Sequence, residues 1–330
     1  MIRLIVVVLV ASLAWMAWWG FGQVAYEKGL SAWVEDRQRD GWVAEYSELN
    51  TVGFPNRFDT TLTDLNLADP ETGVAWSAPM VQILSLAYKP HQVIAVLPPG
   101  HVFSTPLEKL TFAHEDARAS LFLRPTPSLA LDRARFVAEE LEIASDVGWT
   151  VALSEGRFAF EAVPAAENTY RLGAELVDLQ PAEAARRLLD PGGLLPESVE
   201  TMRVDADLRF DRPWDRHAVE DLRPQFTEID LKDLSARWGR VTFRAAGEVT
   251  VNPQGVPDGQ VTLRAVEWRK LLAMAHSAGL LPTNLVGPVE NALELMSGRT
   301  DTLDATLTFR GGTTWLGLVP LGPAPNLTLR

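Results

Sequence analysis

Hydrophobic side chains are distributed along the chain in two very different ways. Residues Leu4 to Tyr26 carry no charge, and the core of this run reads LIVVVLVASLAWMAWWGFG. Nineteen helical residues at ~1.5 Å each reach roughly 28 Å, about one bilayer hydrocarbon core. Trp15, Trp18, Trp19 and Tyr26 gather toward the far end of the run, in the manner of an interfacial aromatic belt. A cleavable signal peptide has a shorter apolar run and small residues at the cut. Here Trp and Phe crowd the cut positions, which predicts an uncleaved signal-anchor helix over residues 1–26. No second run of eighteen apolar residues follows, so a single pass is expected. Arg3 precedes the run. Lys28, Arg37 and Arg39 follow it, set among Glu27, Glu35, Asp36 and Asp40, so basic residues alone do not orient it. The short leading tail favours an inside amino terminus, with about 300 residues on the periplasmic face of the inner membrane.

Beyond the anchor the period changes. Leu30, Trp33, Val34 and Arg37 share a helical face, which predicts a continuation over residues 27–40, stopped at Gly41. From Trp42 onward short segments alternate apolar and polar positions, as in FDTTLTDLNL (58–67), MVQILSLAY (80–88) and ARASLFL (117–123). Turn clusters such as ADPETG and PPG separate them, at the spacing of an all-β region. Further strands are expected over 133–143, 149–162, 169–179, 201–210, 226–236, 241–251 and 260–265. A helix is expected at 181–189 (PAEAARRLL), with proline in its first turn. Near the end the period becomes helical again. Trp268, Leu271, Leu272, Ala275 and Ala278 fit one face, then Val289, Leu293 and Met296 another, giving a helical pair at about 267–298. Terminal strands are expected within 302–318. The expected fold class is mainly β (α+β). It comprises a transmembrane helix followed by an elongated, curved antiparallel β-sheet domain over residues 27–330, with a few short helices.

A polar residue followed by Leu, any residue and an apolar one recurs at Asp64–Leu67, Lys109–Phe112, Glu140–Ile143 and Asp233–Ala236. The spacing is uneven, so this is no strict solenoid repeat. Half-buried strands resemble one another by their period of two, and a succession of similar β elements would give the same text.

Charge and composition narrow the function. Acidic residues outnumber basic ones 43 to 30, giving a formal net charge of -13, which argues against nucleic acid as a partner. The chain has no cysteine, so disulfides, thiolate metal sites and cysteine nucleophiles are excluded. The five histidines, His91, His101, His114, His217 and His276, show no i,i+3 or i,i+4 pair. No metal site is therefore expected. His114–Glu115–Asp116 reads as a solvated turn. There is no GxSxG elbow, Walker A loop or GxGxxG after a strand. No catalytic residue, enzymatic activity or cofactor is expected.

An ordered set of short stretches stands out: Gly41-Trp42, Gly53-Phe54-Pro55-Asn56-Arg57-Phe58-Asp59, Asp69-Pro70, Trp76-Ser77-Ala78-Pro79, Tyr88-Lys89-Pro90, Trp238-Gly239, Trp268-Arg269, and the closing Pro320 to Pro325. With these the chain resembles the DUF2125 family of bacterial proteins, found mainly in alphaproteobacteria, along nearly its whole length. The resemblance implies an uncharacterised, N-terminally anchored envelope protein. A looser likeness is to AsmA-type proteins, in which a membrane anchor is followed by a β-sheet wall. Some of those are implicated in moving lipids across the periplasm.

The motif residues have structural readings of their own. Gly53, Phe54, Pro55 and Asn56 suit a tight turn between strands. Arg57 beside them would pair with a carboxylate or meet a lipid headgroup. Trp76, Trp238 and Trp268 would be core residues whose N–H groups find partners, or would line a groove. Trp238 and Gly239 have a structural reading as motif residues, and the proline-rich ending suits an edge or cap. Arg57, Trp76 and Trp268 are thus the candidate ligand-binding residues. The leading expectation is non-catalytic: binding or shielding of an apolar ligand, a lipid, along the sheet. The alternative is a periplasmic scaffold or assembly factor whose apolar face meets another envelope protein.

Overall fold

The computed structural model describes every residue except Asp221, Arg299 and Arg330, and every side chain except those and Val219 and Glu220. Half of the chain is strand and 22 % is helical, so the mainly-β class holds. Every registered strand pair is antiparallel. The chain divides into two compact units, residues 1–123 with 142–148, and residues 124–141 with 149–330.

The first unit opens with one continuous helix, α1 (Ile2–Arg39), so the apolar run and the following amphipathic segment are a single rod. Strands β1 (Val43–Glu45), β2 (Glu48–Val52), β3 (Arg57–Asp69), β4 (Val74–Leu86), β5 (Lys89–Val96), β6 (His101–Ser104), β7 (Lys109–Ala113) and β8 (Asp116–Leu123) follow. β9 (Leu131–Ser145) is shared by sequence between the two units. β3 lies between β4 on one side and the short β1 and β2 on the other.

Phe58, Thr60 and Leu62 alternate inward along β3, as a period of two requires. Asp64, with φ 49°, then shifts the alternation by one, so that Leu65 turns in. β4 makes the matching change between Val81 and Ala78. Glu140 is also left-handed, with φ 48°, and Asp233 sits in the register shift of the strand that carries it. Three of the four recurring polar-Leu segments therefore mark places where a strand changes face.

The second unit continues with β10 (Thr150–Ala162), β11 (Thr169–Leu179), α2 (Glu183–Leu189), β12 (Val199–Phe210), α3 (Arg216–Glu220), β13 (Phe226–Trp238), β14 (Val241–Val251) and β15 (Pro257–Val266). The helical pair α4 (Trp268–Ser277) and α5 (Thr283–Ser297) follows, then β16 (Thr302–Arg310), β17 (Thr313–Leu316) and β18 (Val319–Pro323). The strands from β10 to β18 pair in sequence order as a meander.

One end of the meander holds an aromatic cluster of Tyr170, Phe210, Phe160, Trp214 and Phe226. The proline-rich ending forms β18, paired to β17, and then a tail. The Leu327 N–H donates to the Gly255 carbonyl at 2.8 Å, and Gln225 exchanges two hydrogen bonds with the Leu329 backbone.

Candidate functional site: an apolar cavity beneath the helical pair

In β14, β15 and β16 the antiparallel register places Ala245 opposite Leu263 and Leu263 opposite Ala305. Ala265 faces Leu303, and Leu307 faces Leu316 of β17. Alternation thus collects small and medium aliphatic side chains on one face of these strands. On α4, Trp268, Leu271, Leu272 and Ala275 recur at helical spacing, and α5 adds Val289 and Leu293 one turn apart. The two apolar surfaces face each other, and the aliphatic side chains leave a cavity of ≈ 490 Å³ between them. That volume falls within the roughly 300–1,000 Å³ of small-molecule sites. Every lining residue is apolar, and Leu280 of the α4–α5 connection, 80 % exposed, stands at its lip.

The roof is held by polar contacts outside the cavity. Trp268 is almost wholly buried, and its indole N–H donates to the Thr300 carbonyl at 3.0 Å. The Arg269 guanidinium lies 4.3 Å over the same ring. It also pairs with Glu294 of α5 and, at 3.7 Å, with Asp301. Nδ1 of His276 meets the Leu281 carbonyl at 3.0 Å, so that nitrogen carries the proton. Among the described residues no titratable side chain lines the space. Covering its apolar walls would remove them from water, at ~25 cal/mol per Å².

A second hollow, ≈ 480 Å³, lies on strands β9 to β12 and has the opposite character. Arg135, Arg157, Arg171 and Arg203 line it, but each has a carboxylate partner: Glu161, Glu155, Asp205 and Glu175. Arg171 holds Asp205 in two hydrogen bonds of 2.9 and 2.6 Å, which keeps that carboxyl below its ordinary range and the guanidinium above its own. This is a self-neutralised set of ion pairs on a solvent face, three of them cross-strand and Arg157–Glu155 within β10.

The sequence candidates fall in separate surroundings. Arg57 is half exposed and pairs with Asp59 at 3.0 Å. Trp76 packs against the Leu62, Leu65, Ala78 and Val81 cluster, edge-on to His101. Trp268 alone of the three lines the cavity. Trp238 is buried, donating to the Pro196 carbonyl at 2.8 Å, while the Gly239 N–H donates to the Glu200 carboxylate.

The solvated turn expected at His114 is corrected by the structure. His114 is buried, its ring 5.8 Å from that of His101. His101 is itself stacked on Phe112 at 4.6 Å, and burial holds its imidazole below the ordinary histidine pKa. The period-2 strands on either side of His114 carry the ring inward, which the local polar sequence conceals. Among the described residues no group of three or more His, Asp and Glu converges as a metal site.

The turn motif Gly53 to Asp59 proves to be a socket for α1. The indole N–H groups of Trp15, Trp18 and Trp19 donate to the carbonyls of Pro55, Ala87 and Arg57, at 2.9, 3.0 and 2.8 Å. Trp19 packs edge-on to Phe54, and both Trp19 and Tyr26 lie against Phe58. The i, i+3/4, i+7, i+11 spacing of Trp15, Trp18/Trp19, Gly22 and Tyr26 is the one sequence signal for this seam. It is the same signal that an aromatic belt would give.

No curated protein and no solved structure matches this chain significantly. A family described as "Uncharacterized protein conserved in bacteria (DUF2125)" matches residues 19–325. That match takes in both units and every motif from Gly41-Trp42 to the closing prolines, so the chain belongs to the DUF2125 family.

Proposed function

We propose that this protein is a single-pass inner-membrane protein whose β-rich part lies in the periplasm and holds the apolar portion of a lipid in the cavity of the second unit, without a catalytic step. The observation that carries the reading is the cavity itself: ≈ 490 Å³, lined only by apolar side chains, with an exposed leucine at its lip. An open hollow lined this way leaves apolar walls facing water, and an acyl chain seated in it would cover them. The apolar α1 supplies the anchor, being long and apolar enough to cross a bilayer.

Native mass spectrometry of the full chain, released from lipid nanodiscs, tests this against an Ala275→Trp variant that fills the cavity. One lipid per chain should survive delipidation in the natural sequence and be absent from a variant that still melts cooperatively. Equal retention by both would sink the proposal. A chain that holds no lipid at all would shift the weight to a protein partner, and the outward Leu295 and Leu318, both strongly exposed, would be where to look for it.

A further inference from the structure

The contacts of α1 with the first unit have a consequence for where the membrane surface falls. From Arg3 to Trp15 the helix rises over twelve residues, about 18 Å, whereas a hydrocarbon core is about 30 Å thick. The uncharged run goes on to Tyr26. Trp15, the first residue to hydrogen-bond to the β-rich part, therefore lies well before the run ends. Over the same turns the helix has two faces. Trp15, Trp19, Gly22 and Tyr26 are on the sheet side, where a Cβ at Gly22 would overlap the Phe58 ring. Phe21 and Val24 remain exposed, and Trp18, half exposed, reaches from between the two faces to the Ala87 carbonyl. One stretch of helix thus grips the first unit and presents an apolar flank that needs lipid.

The rim of the first unit at this level has matching chemistry. The turn after β2 exposes Val52 and Phe54, each 53 % exposed, and the β4–β5 turn exposes Tyr88, 57 % exposed. The two turns are tied together, the Ala87 N–H donating to the Asn56 carbonyl at 2.9 Å. Arg57 and Lys89, both exposed, flank them. Aromatic and aliphatic tips with a basic border are what the acyl–headgroup boundary of an anionic bilayer accepts.

We infer that the Val52–Phe54 and Tyr88 turns are a membrane-seated collar around α1, inserted at the acyl–headgroup boundary with Arg57 and Lys89 at the phosphates. A bilayer that thins locally around the docked helix closes the remaining mismatch. This inference rests on the anchor reading in the proposed function and does not depend on the cavity.

The chain contains no cysteine, so single labels report without background. Val52→Cys, Phe54→Cys and Tyr88→Cys, each carrying a nitroxide, are reconstituted as full chains into phosphatidylethanolamine–phosphatidylglycerol vesicles. Oxygen and nickel-chelate collision rates are then compared with those of Val147→Cys, an exposed site elsewhere in the first unit. The collar sites should favour oxygen over nickel several-fold, and position 147 should favour nickel. Phe54 touches Trp19, so the Val52 and Tyr88 variants keep the test independent of any loosening there. Collar sites that read like position 147 in membrane-integrated chains would overturn the inference. Chains that alkaline carbonate releases, or that lack α1 on intact-mass analysis, would overturn it through the anchor reading, with the cavity test unaffected.

Discussion

Each unit lays helix on the apolar face of antiparallel strands, yet the two seams are packed differently. Under α1 the sheet contributes Phe58, 1 % exposed, and the helix answers with Trp19, Tyr26 and the bare backbone of Gly22, so that rings pack the seam at that level. Under α4 and α5 the sheet contributes Ala265, Ala305 and leucines, and ≈ 490 Å³ stays open. The difference lies in what meets across each seam: aromatic rings under α1, aliphatic side chains around an open hollow under α4 and α5.

Three changes test this contrast. Phe58→Ala should have the largest effect, a loss of about 3–5 kcal/mol, because a fully buried ring between two aromatic neighbours leaves a cavity that cannot collapse. Denaturant unfolding of the full chain in micelles measures it, and a loss no larger than that of a surface substitution would show the α1 seam to be loose. Gly22→Val follows, at about 1–3 kcal/mol, since the added methyls meet the Phe58 ring and not solvent. Ala275→Leu is the mirror experiment in the second unit. Added bulk there enters empty space and should leave stability unchanged or raise it by about 0.5–2 kcal/mol. A loss of stability matching that of Gly22→Val would erase the distinction between the seams.

The smallest effect concerns pH. Burial depresses the His101 imidazole pKa, with the Pro98 carbonyl opposing and His114 assisting. The unfolded chain then takes up its proton before the folded one does. Stability from this group is complete above the ordinary histidine value of about 6.5 and falls as the pH drops through the folded value. His101→Gln should flatten the slope of melting temperature against pH in that window. An unchanged slope would assign it to other groups.

The chain's periodicities made most of the fold legible. The change from an uncharged run to alternation, and then to i, i+3, i+4 spacing near Trp268, marks α1, the strands and the α4–α5 pair in the right order. The roof of the cavity was legible in the same way, because Trp268, Leu271, Leu272 and Ala275 declare one apolar face. The cavity was not. Its size depends on which alanines and leucines stand opposite one another across β14 to β17, and register leaves no local mark in an alternating strand. The α1 socket was hidden for a related reason. Trp15 and Pro55 are forty residues apart, and Trp18 and Ala87 sixty-nine. The turn at His114 and Glu115 was legible, but not the burial of His114, because the ring of His101, stacked on Phe112, comes to it from another part of the sequence. Asp64 and Glu140 hid a change of face that a strict count of two cannot follow.

The three tryptophans that fasten α1 all address main-chain carbonyls, those of Pro55, Arg57 and Ala87. A carbonyl belongs to the backbone and survives any replacement of the side chain beside it. The socket can therefore drift in sequence at those positions while its path is kept, whereas each indole, once lost, has no substitute. For these three hydrogen bonds the side-chain identity that matters lies on the helix alone, whereas the ring contacts of Phe54 and Phe58 keep the sheet side answerable to mutation as well.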